Sequence, residues 1–228
     1  VASTHGAALP PSVTTTLRAA GNGAEADFNT SVFVNCPFDN EFLQLLHAML
    51  FAIHDCGFVA RYAVQDAGAA ELRIDKICRL IQESRLSLHD ISRIELSANT
   101  YPRFNMPFEA GVAFGLIRFG STAARDMLLL EATPYRDHRT LSDLAGQDTS
   151  AHHNEPTQMI AAVRRFLALK KTEGERTRGT EAITKRYASF LAALPSIAAG
   201  MEISSEEIQS FDYLTDWVQT MSQWVLQK

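Results

Sequence analysis

Four short apolar runs alternate with amphipathic segments between Ser31 and Glu131, and this alternation limits the folds open to the chain. Ser31–Phe38 (SVFVNCPF) is the first run, closed by Pro37, which has no N–H to give to a sheet ladder. Asp39 can cap the segment that follows. Glu41–Cys56 places Phe42, Leu45, Leu46, Met49, Leu50 and Ile53 at helical spacing, and Gly57 suits the residue just past a helix end. Phe58–Val64 reads as a second strand, Asp66–Ala70 as a loop, and Glu71–Ser84 as a helix carrying Leu72, Ile74, Ile77, Cys78 and Ile81 on one side. Arg85–Ile91 is the third strand. A polar loop then leads into a helix ending near Gly120, and Asp126–Glu131 is the fourth strand. An order of β-α-β-α-β-α-β with short connections predicts an α/β fold: a parallel sheet with helices on both faces. In such sheets ligands bind outside the carboxyl ends of the strands. Three loops converge there: Asn35–Asp39, Asp90–Arg93 and Arg103–Glu109.

The flanks read differently. Residues 1–27 are rich in Ala, Ser, Thr, Gly and Pro without periodicity and read as a flexible arm. Residues 28–133 form the α/β domain. Residues 134–228 read as a helical extension packed on that same domain, with a polar irregular stretch over 134–155 and one short helix near Leu141–Leu144. Helices follow over Thr157–Lys170, Thr180–Leu194 and Ser205–Gln227, with Trp217 and Trp224 as docking anchors.

Composition excludes several classes. The net charge of −5 argues against a dedicated nucleic-acid binder. No apolar run approaches the roughly 18–20 residues of a membrane span, and no basic stretch precedes an apolar one at the start. No membrane partner is expected, and the cytoplasm is the expected location. Cys36, Cys56 and Cys78 are odd in number and form no CxxC pair, so they read as structural thiols. The histidines show no metal spacing, and His152-His153, in a polar loop, reads as solvated. There is no G-x-G-x-x-G, P-loop, G-x-S-x-G or H-E-x-x-H motif. Neither a standard phosphate cradle nor a common hydrolase site is present.

Glu109 is the residue that most needs a reason. Its neighbours Phe104, Met106, Phe108, Val112 and Phe114 are apolar, and Gly111 and Gly115 would let a ligand or another backbone approach the helix closely. With Pro107 at the first helical position, Glu109 falls in the first turn, where a carboxylate offsets the helix dipole by about 0.3–1 kcal/mol. Capping is therefore one explanation. The other is that a carboxylate held in a low-dielectric pocket stabilises a developing positive charge. Asp90 and Ser92 follow the third strand; they suit a sugar's hydroxyl groups, or an Asx turn closing the strand. Arg93, Phe104 and Asn105 lie on the same loops. Asn35 can donate to a ligand and Phe38 can stack on a base, with Pro37 and Asp39 beside them, although a plain strand-to-helix turn explains this loop equally well. Arg61 and Arg103 could contact phosphates, or pair on the surface. His89 reads more readily as a satisfied core histidine than as a catalyst.

Val32–Asp39, Asp90-Ile91-Ser92 and Phe108-Glu109-Ala110-Gly111 together resemble the superfamily that joins nucleoside 2-deoxyribosyltransferases, deoxynucleotide N-glycosidases and TIR domains. The segments SVFVNCPFDN, IHDISR and PRFNMPFEAG resemble a bacterial TIR-like group. The resemblance covers residues 30–132. It implies a flavodoxin-like fold and cleavage or transfer at an N-glycosidic bond, with Glu109 as nucleophile or electrostatic stabiliser. NAD would be substrate rather than cofactor, and no cofactor or metal is implied. Nicotinamide leaves NAD as a neutral molecule and needs no acid, whereas a purine leaves better when protonated. One evident carboxylate therefore tilts the reading toward NAD, with a nucleoside glycosidase or transferase, or a non-catalytic nucleotide or protein-binding module, as alternatives. The resemblance further implies a homo-oligomer and a role in bacterial defence or stress.

Overall fold

The computed structural model describes residues 27–65, 72–93, 104–120, 124–134 and 149–227. Five parallel strands form one sheet: β1 (Ser31–Asn35), β2 (Val59–Arg61), β3 (Leu86–Asp90), β4 (Asp126–Glu131) and β5 (Thr149–Ala151), in the order β2-β1-β3-β4-β5. Val32 lies opposite Leu86, and Leu86 opposite Asp126, so the carboxyl ends of the central strands are nearly level. Helices α1 (Leu43–Asp55), α2 (Arg73–Gln82), α3 (Asn105–Phe119), α4 (Pro156–Ala168), α5 (Thr180–Gly200) and α6 (Leu214–Gln227) surround it. This is an α/β, flavodoxin-like sheet with helices on both faces and a C-terminal helical extension.

Strand alternation divides the core in two. Val32, Val34, Leu86, Leu88, Leu128 and Leu130 pack with α1, α4, α5 and α6 in the larger cluster. On the opposite face Phe33 meets Ile77, Leu80 and Ile81 of α2, while Met127 and Leu129 meet Ala110 of α3. Ala110 and Ala113 are small, which lets α3 lie close to the sheet. The extension shares the larger core, as expected: Met159, Ile160, Ile183, Phe190 and Trp217 are all fully buried in it. Trp217 stacks on His47 at 4.0 Å and meets the edge of Phe190, and Trp224 packs against Phe51 and Phe190. Arg186 of α5 donates from Nε to the buried Asp55 at the end of α1, at 2.6 Å.

Several sequence expectations shift. The first strand ends at Asn35 rather than Phe38, because Pro37 cannot donate to β3. The second narrows to Val59–Arg61 and gives way to a 3-10 turn, Ala63–Gln65. The stretch read as irregular contains β5, too short to show an alternating pattern. The helix expected to stop at Leu194 runs through Pro195 to Gly200. The helix expected from Ser205 starts only at Leu214, after a 3-10 turn, Phe211–Tyr213. The expected helix near Leu141–Leu144, most of the arm over 1–27, and Arg103 lie outside the described residues.

Candidate functional site

β1 is followed by β2 on one side and by β3 on the other, so the direction of winding reverses between β1 and β3. The crevice above this switch point is where such sheets place their ligands. Loop 36–42 follows β1, Ile91–Arg93 follow β3, and α3 begins above them.

Glu109 sits on the sheet-facing side of α3, with Met106, Ala110 and Ala113. The helix starts at Asn105, two residues earlier than the proline suggested, and has no side-chain cap. Glu109 is therefore its fifth residue, in the second turn, and the helix-dipole explanation no longer serves it. The residue is 6% exposed. Among the described residues its carboxylate has no hydrogen bond and no ion pair. Burial pushes it up to about 7, and the field of Arg73, the first residue of α2, acts against that rise. Its pocket differs from the sequence expectation. Phe104 and Phe108 are exposed, so they do not wall it, and a Cβ on Gly111 or Gly115 would meet nothing within 4 Å. On its own helix it shares the buried face with Met106 and Ala110, and Cys36 and Arg73 lie within electrostatic reach. The buried Cys36 thiol is raised well above its ordinary range by burial and by the fields of Asp90, Asp39 and Glu109.

Asn35 is spent within the protein. Its amide nitrogen donates to the Met106 carbonyl at 3.0 Å and lies 3.0 Å from His89 Nδ1. His89 is fully buried and held down to about 3 by that burial, so it is a neutral core ring and not an acid catalyst near neutral pH. Asp39 accepts the Phe42 N–H at 3.0 Å, so it does cap the turn before α1. Its second oxygen takes Arg93 at 2.8 Å, and Arg93 also reaches Glu41 at 3.0 Å, which latches the β1 loop to the β3 loop. Pro37 is buried beneath this latch. Phe38 is stacked on Tyr62 and meets the edge of Phe211, which comes from the C-terminal extension. Asn105 is exposed at the start of α3. Arg61 points away from the crevice and pairs with Glu83 at 3.4 Å, near the amino end of β3.

Asp90 makes the Asx turn its sequence allows: Oδ1 accepts the Ser92 N–H at 3.0 Å. Its other oxygen lies 3.0 Å from His152 Nε2, and Ser92 Oγ lies 2.9 Å from that same nitrogen. Contrary to the sequence reading, His152 is fully buried at the end of β5. His153 and Asn154 take left-handed conformations, at φ 52° and 57°, and fold the Asn154 N–H back onto His152 Nδ1 at 3.1 Å. Nδ1 therefore accepts, and Nε2 carries the proton. Because Ser92 and Asp90 share one ring nitrogen, the imidazole does not stand between them as a base would between its orienting acid and a nucleophile. The cluster locks the ends of β3 and β5 together, with Asp90 wholly enclosed.

Sequence reading missed His152, Arg73 and Phe211. β5 is three residues long and gives no signal for His152. Arg73 was hidden because the helix was read from Glu71, whereas it begins at Arg73 itself. Phe211 depends on how the extension folds back. Among the described residues no group of acids, histidines and cysteines could hold a metal, and no helix is long and apolar enough to cross a membrane. Comparisons with protein families, with curated proteins and with solved structures find no match.

Proposed function

We propose that this chain hydrolyses an N-glycosidic bond, with NAD as the favoured substrate and Glu109 as the carboxylate under the anomeric carbon. The observation that carries the reading is Glu109 itself: a buried carboxylate, unpartnered among the described residues, beside the switch point of a parallel sheet. Burying a charge without a partner is costly, and an oxocarbenium-like carbon is a partner that exists only during reaction. The resemblance to TIR domains and deoxyribosyltransferases supplies the bond type. In the reaction the C1′–N bond breaks and nicotinamide leaves with the bonding pair, as a neutral molecule. Water then adds to the ribosyl carbon and loses a proton, giving ADP-ribose. Arg73, exposed at the start of α2 on the Glu109 side, is the cation placed to meet the diphosphate.

One observation favours a second reading. A carboxyl that titrates near 7 is partly protonated at neutral pH, so it could protonate a departing purine instead. Chromatographic assay of base release from NAD and from a panel of nucleosides and nucleotides separates the two. The lead reading expects nicotinamide release that Glu109→Gln abolishes. Release of free purine with NAD left intact would favour the second. Inactivity on every glycoside at high protein concentration would leave the crevice a binding site.

A further inference from the structure

Glu109 rides on the first two turns of α3, and one polar connection ties those turns to the sheet. Asn35, the last residue of β1, donates one amide N–H to the Met106 carbonyl and the other to His89 Nδ1, each at 3.0 Å. A carbonyl only accepts, so the atom facing Met106 must be the amide nitrogen. Nδ1 of His89 is then the bare, accepting nitrogen, and its proton sits on Nε2. Asn35, His89 and Met106 are all at least nine-tenths buried. Burial keeps the His89 ring neutral, so protonation does not interrupt the connection in the working pH range.

The apolar contacts nearest Glu109 do this job only in part. Ala110 and Ala113 meet the sheet through small side chains, and the larger Val112, Phe114, Leu116 and Ile117, half-buried in the same clusters, lie further along the helix. The Asn35 bond to the Met106 carbonyl fixes the rotation and axial position of the first turn, and the bond to His89 holds the Asn35 amide in place for it. His89 is also a poor choice as mere filling, because its Nε2–H is buried without a partner. An aliphatic residue would avoid that cost. What His89 supplies and an aliphatic residue lacks is an acceptor for Asn35.

We propose that Asn35 and His89 are positioning residues, a strut through Met106 that sets where Glu109 stands over the switch point. This rests on the glycosidase reading for its purpose but not for its existence. The charged and titratable groups on the elements around Glu109 include Arg73 and the buried Lys76 of α2, Cys36 and Asp39 after β1, His89 and Asp90 of β3, and Glu131 of β4.

The test follows two readouts on the full chain: the titration of the Glu109 carboxyl by 13C NMR, and steady-state nicotinamide release. In Asn35→Ala and His89→Leu, the Glu109 midpoint is expected to fall from about 7 toward the ordinary carboxyl range by about one pH unit, as the freed turn admits water. Loss of geometry should lower kcat about tenfold and leave KM within about twofold. His89→Gln, whose amide oxygen still accepts from Asn35, should keep both values near wild type. His89→Leu fills the same space with apolar atoms and carries the test if Asn35→Ala fails to fold. A midpoint that stays put in both disrupted variants overturns the strut, as does His89→Gln behaving like His89→Leu. If wild type releases no base from any glycoside, yet the midpoint moves in the disrupted variants and not in His89→Gln, the strut stands and the glycosidase reading falls.

Discussion

Replacing Glu109 by Gln should stabilise the protein, and more so as pH rises. In the unfolded chain the carboxyl titrates at its ordinary 4.5; in the fold burial holds it at about 7. Between those values the unfolded state has released its proton and the folded state has not. The unfolded state then binds fewer protons, so stability falls as pH rises through this window. Moving a titration midpoint by one pH unit takes about 1.36 kcal/mol, which makes the full penalty about 3 kcal/mol above pH 7. Integration gives about 1 kcal/mol at about pH 5.5 and about 3 kcal/mol at about pH 8.5. Gln occupies the same volume with no charge to desolvate, so it escapes the penalty. Urea unfolding of both proteins across that range, at a fixed ionic strength, measures the difference directly. A helix-capping glutamate predicts the opposite sign: a loss of about 0.3–1 kcal/mol on substitution, present wherever the carboxylate is ionised. A Gln variant less stable than wild type at about pH 8.5, or a difference that does not grow with pH, would refute the buried-charge account.

The same raised midpoint gives the activity a pH signature: kcat/KM for nicotinamide release should rise about tenfold per pH unit below about pH 7 and level off above it, and a flat profile over that range would mean ionised Glu109 is not required. His47, His54 and His89 are held down to about 3, 4 and 3 by burial, from 6.5. For these the folded state binds fewer protons, so the stability is present above 6.5 and is lost as pH falls, by about 2 kcal/mol each at about pH 5. His47→Phe, which keeps the stack on Trp217, should move the acid-unfolding midpoint down, as followed by far-UV circular dichroism; an unmoved midpoint would count against it. Arg186→Met should cost about 2–4 kcal/mol in urea, because Asp55 stays buried with only the longer Arg178 contact, and adding Asp55→Leu should restore most of it.

The sheet was legible because each of its first four strands is an apolar run bounded by turn residues, and the intervening helices show their period over several turns. β5 was not, because Thr149–Ala151 borrows its place from pairing with β4 rather than from any pattern of its own. The burial of His152 was hidden with it: a histidine in a polar stretch reads as solvated until a strand carries it under a loop. Asp90, Ser92 and Asp39 were placed at the strand ends by position alone. Their partners were not found, since Arg93 bridges from β3 to the β1 loop, and His152 reaches Asp90 across a gap of 62 residues in sequence. Of the two readings open for Arg61 the structure shows the surface pair, with Glu83; the choice was not legible because a strand's sequence does not say toward which end a long side chain will lean.

Glu109 held a signal that the capping argument obscured. Met106, Ala110 and Ala113 recur at the spacing of a buried helical stripe, and Glu109 falls inside that stripe beside Ala110. A cap belongs on the rim of a helix end, where its oxygens reach free N–H groups. A glutamate inside the stripe must face whatever the helix packs on, wherever the helix begins. The alanines around it sharpen the point: they draw the helix close to the sheet, and the long polar side chain between them is then buried against it. The same geometry that makes the residue expensive to fold is what aims it, so the stability gained by Glu109→Gln and the activity lost by it should appear together.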